Sequence, residues 1–467
     1  MGCGLRAGPR LGQWPAGRTR VSASAVAEVI AAVQVCRQAK RTPLWGWVVL
    51  AALAILSYTV ILDQPFISDD YLQIALGRQY GPVSGWTDLA GDALYRARAT
   101  SLVITYWTER LFGFSPLPFY ASAILLHVLN TWLVFVLSVR LGLGRRLALC
   151  AAAFFAVYEG HQEAVMWYAA LPELLVFTFS LATLILWSRW LSANHRRPLY
   201  YAAALSAFAL ALLSKEPAVA VVPFLGVVSW RQRRTWPWIA PFALLAAGYF
   251  AITYAARDGH QHFHDGTFSL AAPVWLTVLN SLGSLVWFWG LLSLGALVLW
   301  RRGRDGRTLA LALIWIVVTF LPYSFLTYMP RVPSRHTYLA SVGLAWIVAA
   351  AFLAFRRRFR TSAPRLVHAV MAVVLLHNCG YIWITKHAQF LERAQPTEAL
   401  VEAARQARGP IYVRCYPYNA GIARLAVEMR LSRPHELVWA VTHSDFSPAC
   451  LEVTAATAQA GHPTSGM

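Results

Sequence analysis

The sequence predicts an all-α polytopic membrane protein with about eleven transmembrane helices and a small α/β unit beyond the last of them. Three observations predict it. Of the 467 residues, 58% are hydrophobic and 13% charged, where soluble domains average about 45–50% and about 25%. The 20 Trp, 23 Phe and 19 Tyr fall in long apolar runs, which excludes both a soluble globule and a disordered chain. The 41 Lys and Arg behind the formal net charge of +20 sit mostly in short clusters between those runs. That spacing orients helices across a bilayer; it does not build a nucleic-acid surface.

A span requires about 20 predominantly apolar residues. Candidate helices lie near 44–62, 118–139, 147–158, 174–190, 199–213, 217–230, 236–256, 280–300, 308–326, 338–355 and 366–385. Alternate gaps separate by charge: one set, including the basic segment 1–43, holds 25 Lys and Arg and two acids, and the opposite set holds eight and twelve. By the positive-inside rule the N-terminus is cytoplasmic and residues 386–467 are extracytoplasmic. Ser214-Lys215-Glu216-Pro217 interrupts the run 199–230. Reading 199–230 as one helix would bury Lys215 at the bilayer centre and put every later Arg cluster on the wrong side. Two short helices keep the alternation, with the Lys-Glu turn below the membrane surface, tolerable only where it lines a hydrated, protein-walled cavity.

The chain thus divides into a cytoplasmic segment 1–43, a membrane domain 44–385 and an extracytoplasmic unit 386–467. In that last unit helical patterns near 397–407 and 419–431 alternate with strand-like IYVRCY, ELVWAV and CLEV. The six cysteines show neither a CxxC pair nor metal-ligand spacing. His260, His262 and His264 in GHQHFHDG would share one side of a strand with Asp265 nearby, but without a second ligand cluster no metal site is assigned.

The chemistry concentrates in the predicted outer loops. Just after the first span, DQPFISDDYLQ carries Asp69 and Asp70. One carboxylate of such a pair can take a proton from a hydroxyl while the other holds orientation; equally, Ser-Asp-Asp can cap the helix that starts there. Arg96, Arg98, Glu159, His161, Glu163, Glu173, Lys215, Glu216, Arg331, Arg335 and His336 face the same side. Basic groups there run against the charge bias. Either they pair with nearby acids or they bind a phosphate, for which Arg offers a bidentate fork and Lys a point charge. His127 and Asn130, three apart in LLHVLN, read as an interhelical hydrogen-bonding pair.

The Asp-Asp pair, FGFSPLPFYASAILLHVLN, GHQEAV followed by ELL, LLSKEPAVAVVPF and RHTYLASVGL occur in this order. Together they resemble the C-type glycosyltransferase superfamily, and within it the transmembrane O-mannosyltransferases that carry tetratricopeptide repeats and their bacterial relatives. The resemblance covers roughly residues 44–355 and lacks the repeats, so nothing about acceptor recognition carries over. It implies a sugar transferase of a bacterial inner membrane that uses a polyprenyl-phosphate sugar donor and an acceptor hydroxyl on a protein, lipid or glycan. Transfer would be inverting and extracytoplasmic. A monophosphate leaving group demands no divalent ion, so no metal or other cofactor is assigned. Asp69 and Asp70 would be catalytic. His161, Glu163, Lys215, Glu216, Arg335 and Tyr338, at the family's motif positions, would bind the donor phosphate or substrate; Arg96 and Arg98, cations on the same side, join them as candidates from their charge. The chain departs from the family pattern at Arg96-Ala97-Arg98, where Arg-Pro is usual, at Tyr158-Glu159, where His-Pro is usual, and at Leu171, where Arg is common. A transporter or flippase of a lipid-linked or anionic solute would use the same buried polar groups, and an inactive membrane scaffold would tolerate the departures.

Overall fold

The computed structural model describes residues 44–193, 195–264, 267–269, 271–300, 305–326, 334–407, 409–431, 437–439 and 452–455. The segment 1–43, Asp265, Arg331 and Cys450 lie outside the described residues.

Each apolar run read from the sequence contains a helix. In chain order these are α1 (Leu44–Tyr58), α2 (Asp69–Tyr80), α3 (Ala99–Phe112), α4 (Pro116–Arg140), α5 (Arg145–Val157), α6 (Leu171–Ser192), α7 (Pro198–Leu212), α8 (Val221–Val228), α9 (Ala240–Ala255), α10 (Val274–Val286), α11 (Trp289–Trp300), α12 (Asp305–Phe320), α13 (Ser341–Phe359), α14 (Pro364–Gly380), α15 (His387–Gln406) and α16 (Ala420–Leu431). Among the described residues six helices are long and apolar enough to cross a membrane, or seven if α10 and α11, bent by 74° to one another, count as one broken span. The chain is a helical membrane protein. Two boundaries differ from the sequence reading. The run near 280–300 is this bent pair, because a helix cannot pass straight through the break at 287–288. The fifty-residue loop after α1 is itself helical, folding into α2 and α3, whose paired faces hide Leu76 and Leu102 from solvent.

Burial grades outward. α6 and α13 are buried along most of their length, whereas α9 buries only Phe242. Small residues let α13 sit this deep: a methyl at Gly343 would stand 2.6 Å from the Ala312 carbonyl of α12, so glycine permits the close backbone approach typical of packed membrane helices. Hydroxyls inside the bundle bond back to their own helices, as Ser138 does to Val134 and Thr178 to Leu174, because lipid offers them no water.

Alternate loops gather at opposite ends. At one, Arg307 donates to the Leu141 carbonyl at 3.0 Å and Arg357 pairs with Asp305 at 2.9 Å. At the other lie α2, α3, the Lys215 turn, the 3-10 turn Ser334–Thr337 and the C-terminal elements. There α14 runs on through a π-helical stretch, Tyr381–Lys386, into α15 without a break. A small sheet follows, ordered β2-β1-β3, with β1 (Ile411–Cys415) parallel to β2 (Leu437–Trp439) and antiparallel to β3 (Glu452–Ala455). α16 packs on both α15 and α2, which ties the C-terminal elements to the helix that opens with Asp69.

Candidate active site

Two adjacent carboxylates at the start of α2 have different surroundings. Asp70 is fully buried. Its Oδ2 accepts from the Ile67 amide at 2.9 Å and the Tyr120 hydroxyl at 3.0 Å, and its Oδ1 from the Ala169 amide at 2.8 Å. The Asp70 amide donates back to the Ile67 carbonyl at 2.9 Å, so the two residues close a tight turn on one another. Burial pushes its carboxyl up to about 7 against the pull of these donors. Ser68, at the N-cap, makes no side-chain cap bond; Asp70, just inside the helix, welds the loop before α2 to α4 and to the segment ahead of α6.

Asp69 is half-buried, and its one hydrogen bond among the described residues is from the Ser68 hydroxyl at 3.3 Å. Ser68 holds φ 41° and ψ −107°, a conformation that costs a non-glycine residue about 1–3 kcal/mol and survives only where its surroundings impose it. Burial raises the Asp69 carboxyl above its ordinary 3.8; the Ser68 bond and the positive charges of Arg335 and Arg393 pull it partly back. Neither arginine makes a contact ion pair with it among the described residues.

Arg335 enters from the turn before α13. Its amide donates to Glu163 Oε2 at 3.2 Å, while its guanidinium stays 3.8 Å from that oxygen and stands 5.0 Å from the centroid of Trp167. Arg393, on α15, lies 4.9 Å from the same centroid.

A second cluster surrounds the break between α7 and α8. Lys215 is ion-paired with Glu173, which also accepts from the Tyr323 hydroxyl at 2.8 Å and faces His336 Nε2 at 3.4 Å. Glu173 is 3% exposed. Arg98 grips Glu216 with both guanidinium nitrogens, at 2.9 and 3.1 Å. In each case a cation and a carboxylate satisfy one another.

The residues read from the sequence therefore divide. Asp69 lies within electrostatic reach of Arg335, which bonds Glu163, and Arg98, Lys215 and Glu216 form the second cluster. Arg96 reaches away to the Ile252 carbonyl at 3.1 Å, anchoring α9. Asp70, expected as a partner of Asp69, has both carboxylate oxygens bonded to the fold. Two expected substrate ligands are core groups. His161 is buried with Nε2 2.7 Å from the Ser341 hydroxyl, and the buried Tyr338 hydroxyl meets His127 Nδ1 at 2.8 Å and Asn130 at 3.3 Å. Their rings pack on one another and on Phe155 among α4, α5 and α13. His127 and Asn130 pair across helices as read. Tyr323, Trp167 and Arg393 escaped the sequence reading. Only the third carried a signal, a basic residue on the helix that follows the last apolar run. Among the described residues no three His, Cys, Asp or Glu side chains gather as metal ligands.

No protein-family model matches the chain, and no curated protein does. Solved structures similar to it include ArnT from Cupriavidus metallidurans in the apo state, at 14% identity and TM-score 0.48, covering 85% of this chain and 86% of that one. The same protein bound to undecaprenyl phosphate matches at 14% identity and TM-score 0.46 over the same shares. The Archaeoglobus fulgidus oligosaccharyltransferase tethered with an acceptor peptide matches at 12% identity and TM-score 0.44, covering 79% of this chain; the chain spans 58% of that protein's length. All three scores lie below 0.5, and the functional reading below rests on the residues of the site.

Proposed function

We propose that the protein is a membrane glycosyltransferase of the C type, moving a sugar from a polyprenyl-phosphate carrier to an acceptor hydroxyl at the extracytoplasmic face of a bacterial inner membrane. The observation that carries this reading is Asp69: a half-buried carboxylate, set at a strained helix start and faced by cations that do not neutralise it by contact. A carboxyl whose acidity is weakened by burial is a better general base than an ordinary one.

In the step this implies, the Asp69 carboxylate takes the acceptor hydroxyl proton as that oxygen attacks the anomeric carbon. The bond from that carbon to the phosphate oxygen breaks, and the electron pair leaves with the polyprenyl phosphate. Attack opposite the leaving group inverts the centre. Arg335 is the cation this reading gives to the departing phosphate, since preorganised charges aimed at developing charge are usually the largest single contribution to such catalysis. Asp70 keeps Asp69 in place without touching substrate.

The positive-inside asymmetry supports an extracytoplasmic site, and a lipid carrier is the donor suited to it, because nucleotide sugars are made in the cytoplasm. Eleven spans, five of them outside the six long apolar helices, remain part of this reading.

Purified protein in lipid nanodiscs is the test. With a radiolabelled polyprenyl-monophosphate sugar and a cell-envelope fraction as acceptor, label should transfer in the presence of a chelator. Direct use of a nucleotide sugar, or complete dependence on a divalent ion, would overturn the reading. So would vectorial movement of the lipid with no bond cleavage, which is what a flippase would give.

A further inference from the structure

Arg393 belongs to α15, in the part of the chain beyond every motif read from the sequence, yet its charge acts on Asp69. Its guanidinium carbon is 4.9 Å from the Trp167 centroid and 5.1 Å from that of Phe390. Arg335 is 5.0 Å from the same Trp167 ring. The two guanidinium groups are therefore at most about 10 Å apart, and a phosphate with a guanidinium on each side spans about 8 Å between guanidinium carbons, given N–H···O⁻ contacts of about 2.8 Å.

Two like charges this close repel, and nearby carboxylates would normally absorb the cost. Here they do so only weakly. Glu163 stands 3.8 Å from the Arg335 guanidinium, beyond a hydrogen bond, and among the described residues no carboxylate lies within ion-pair reach of Arg393, whose neighbours are aromatic. The contrast with Arg98 and Lys215, each held by its own glutamate, sets this pair apart.

The mounting is rigid. Trp167 is 9% exposed and fixes both cations by the attraction of a ring face for positive charge. Behind Arg393 the Tyr418 hydroxyl donates to the Arg393 carbonyl at 2.6 Å, and the Thr397 and Tyr416 hydroxyls meet at 2.7 Å. These bonds lock the turn after β1 onto α15. The packing of α16 on α2 holds the same unit against the start of the Asp69 helix.

We propose that Arg393 and Arg335 form a two-arginine clamp on Trp167 that binds a phosphate group beside Asp69, so that the C-terminal unit contributes a substrate-binding residue to the reaction centre. The clamp rests on the functional reading above. The phosphate has two possible sources, the carrier lipid or an anionic acceptor, and the same chemistry would hold either.

The test uses full-length protein in nanodiscs and measures equilibrium binding of two probes, undecaprenyl phosphate and soluble glycerol phosphate, to wild type, Arg393→Ala, Arg393→Lys and Arg335→Ala. Charge-assisted hydrogen bonds are worth about 1.5–3 kcal/mol, so Arg393→Ala should weaken the bound probe at least about tenfold. Arg393→Lys should recover only part of that loss, because an ammonium keeps the charge without the fork. Loss confined to undecaprenyl phosphate assigns the clamp to the carrier, and loss confined to glycerol phosphate assigns it to the acceptor. If wild type binds either probe and Arg393→Ala binds it within twofold as tightly, the clamp is wrong and the glycosyltransferase reading stands. Wild type that binds neither probe sinks both. Equal thermal melting of wild type and Arg393→Lys, in which the backbone bond from Tyr418 is retained, separates lost binding from lost folding; a lysine variant that melts normally yet binds like wild type also overturns the clamp.

Discussion

The two polar clusters at the Asp69 end of the bundle use the same residue types and differ in how completely the charges are spent. Around the α7–α8 break, Glu173 has Lys215, Tyr323 and His336 as partners, and Arg98 holds Glu216 in a two-pronged pair. Around Asp69, the carboxylate has one weak hydrogen bond and the arginines lean on a tryptophan. The first arrangement is how a membrane protein keeps ionic groups in a low-dielectric interior, since unpaired charges there are costly. The second leaves capacity for a ligand. The same contrast separates neighbours in sequence: Asp70 spends both oxygens on the fold, and Asp69 keeps its own available.

The sharpest way to break this comparison is at the aspartates. Asp69→Asn keeps shape and cannot accept a proton, so transfer should fall by about 10²–10⁴ while thermal melting stays at the wild-type value. Single-turnover transfer and calorimetry on the same preparation check it. Near-normal turnover would return Asp69 to the role of a helix-end residue.

Next in size, removing one partner from the satisfied cluster should cost stability. Glu173→Gln leaves Lys215 buried without its counter-charge, a change that typically costs about 3–5 kcal/mol, and should lower the melting temperature sharply. A Glu173→Gln, Lys215→Met double variant should recover part of the loss, because the stranded charge is gone. If the single variant melts like wild type and loses only transfer, Lys215 belongs with the ligand-binding groups after all.

A smaller effect is expected at Asp70. Asparagine retains one acceptor oxygen for the three donors and turns an amide toward the others, leaving a buried amide or hydroxyl unsatisfied at about 1–3 kcal/mol. Melting should drop while the residual transfer of the folded fraction exceeds that of Asp69→Asn. An Asp70→Asn variant with normal melting and no transfer would exchange the two roles.

Much of the fold was legible because burial in lipid demands long apolar runs, and these are visible without a structure. The broken stretch at Ser214–Pro217 could be placed from charge alone. The α10–α11 bend could not, since nothing polar marks residues 287–288. In the site, the surroundings of two motif residues could not be read from the chain: His161 ends a 3-10 turn and Tyr338 lies in the turn before α13, and their hydrogen bonds to Ser341, His127 and Asn130 exist only once α4 and α13 are packed. Asp69 and Asp70 could be found as a pair and not told apart, because the Ile67 and Ala169 amides and the Tyr120 hydroxyl that distinguish them come from 3 to 99 residues away. Arg393 was out of reach altogether: its relation to Arg335 runs through Trp167, and no spacing in the chain encodes a shared ring.

The finest test of the unspent cluster is the pH dependence of kcat/KM. A general base works ionised, so the rate falls as pH drops through the Asp69 pKa. Burial places that value above 3.8, and Arg335 and Arg393 each hold it down by favouring the carboxylate. Removing one cation withdraws part of that support, so the carboxyl should keep its proton to higher pH. In Arg335→Gln the acid limb should therefore move to higher pH than in wild type, and Lys215→Met, whose charge is already held by Glu173, should move it less. Raised salt should shrink the Arg335 shift only modestly, because screening acts weakly on partly buried pairs. An acid limb that stays put in Arg335→Gln, or moves down, would mean that Arg335 does not act on Asp69, and the pairing of these two residues in one reaction centre would have to be given up.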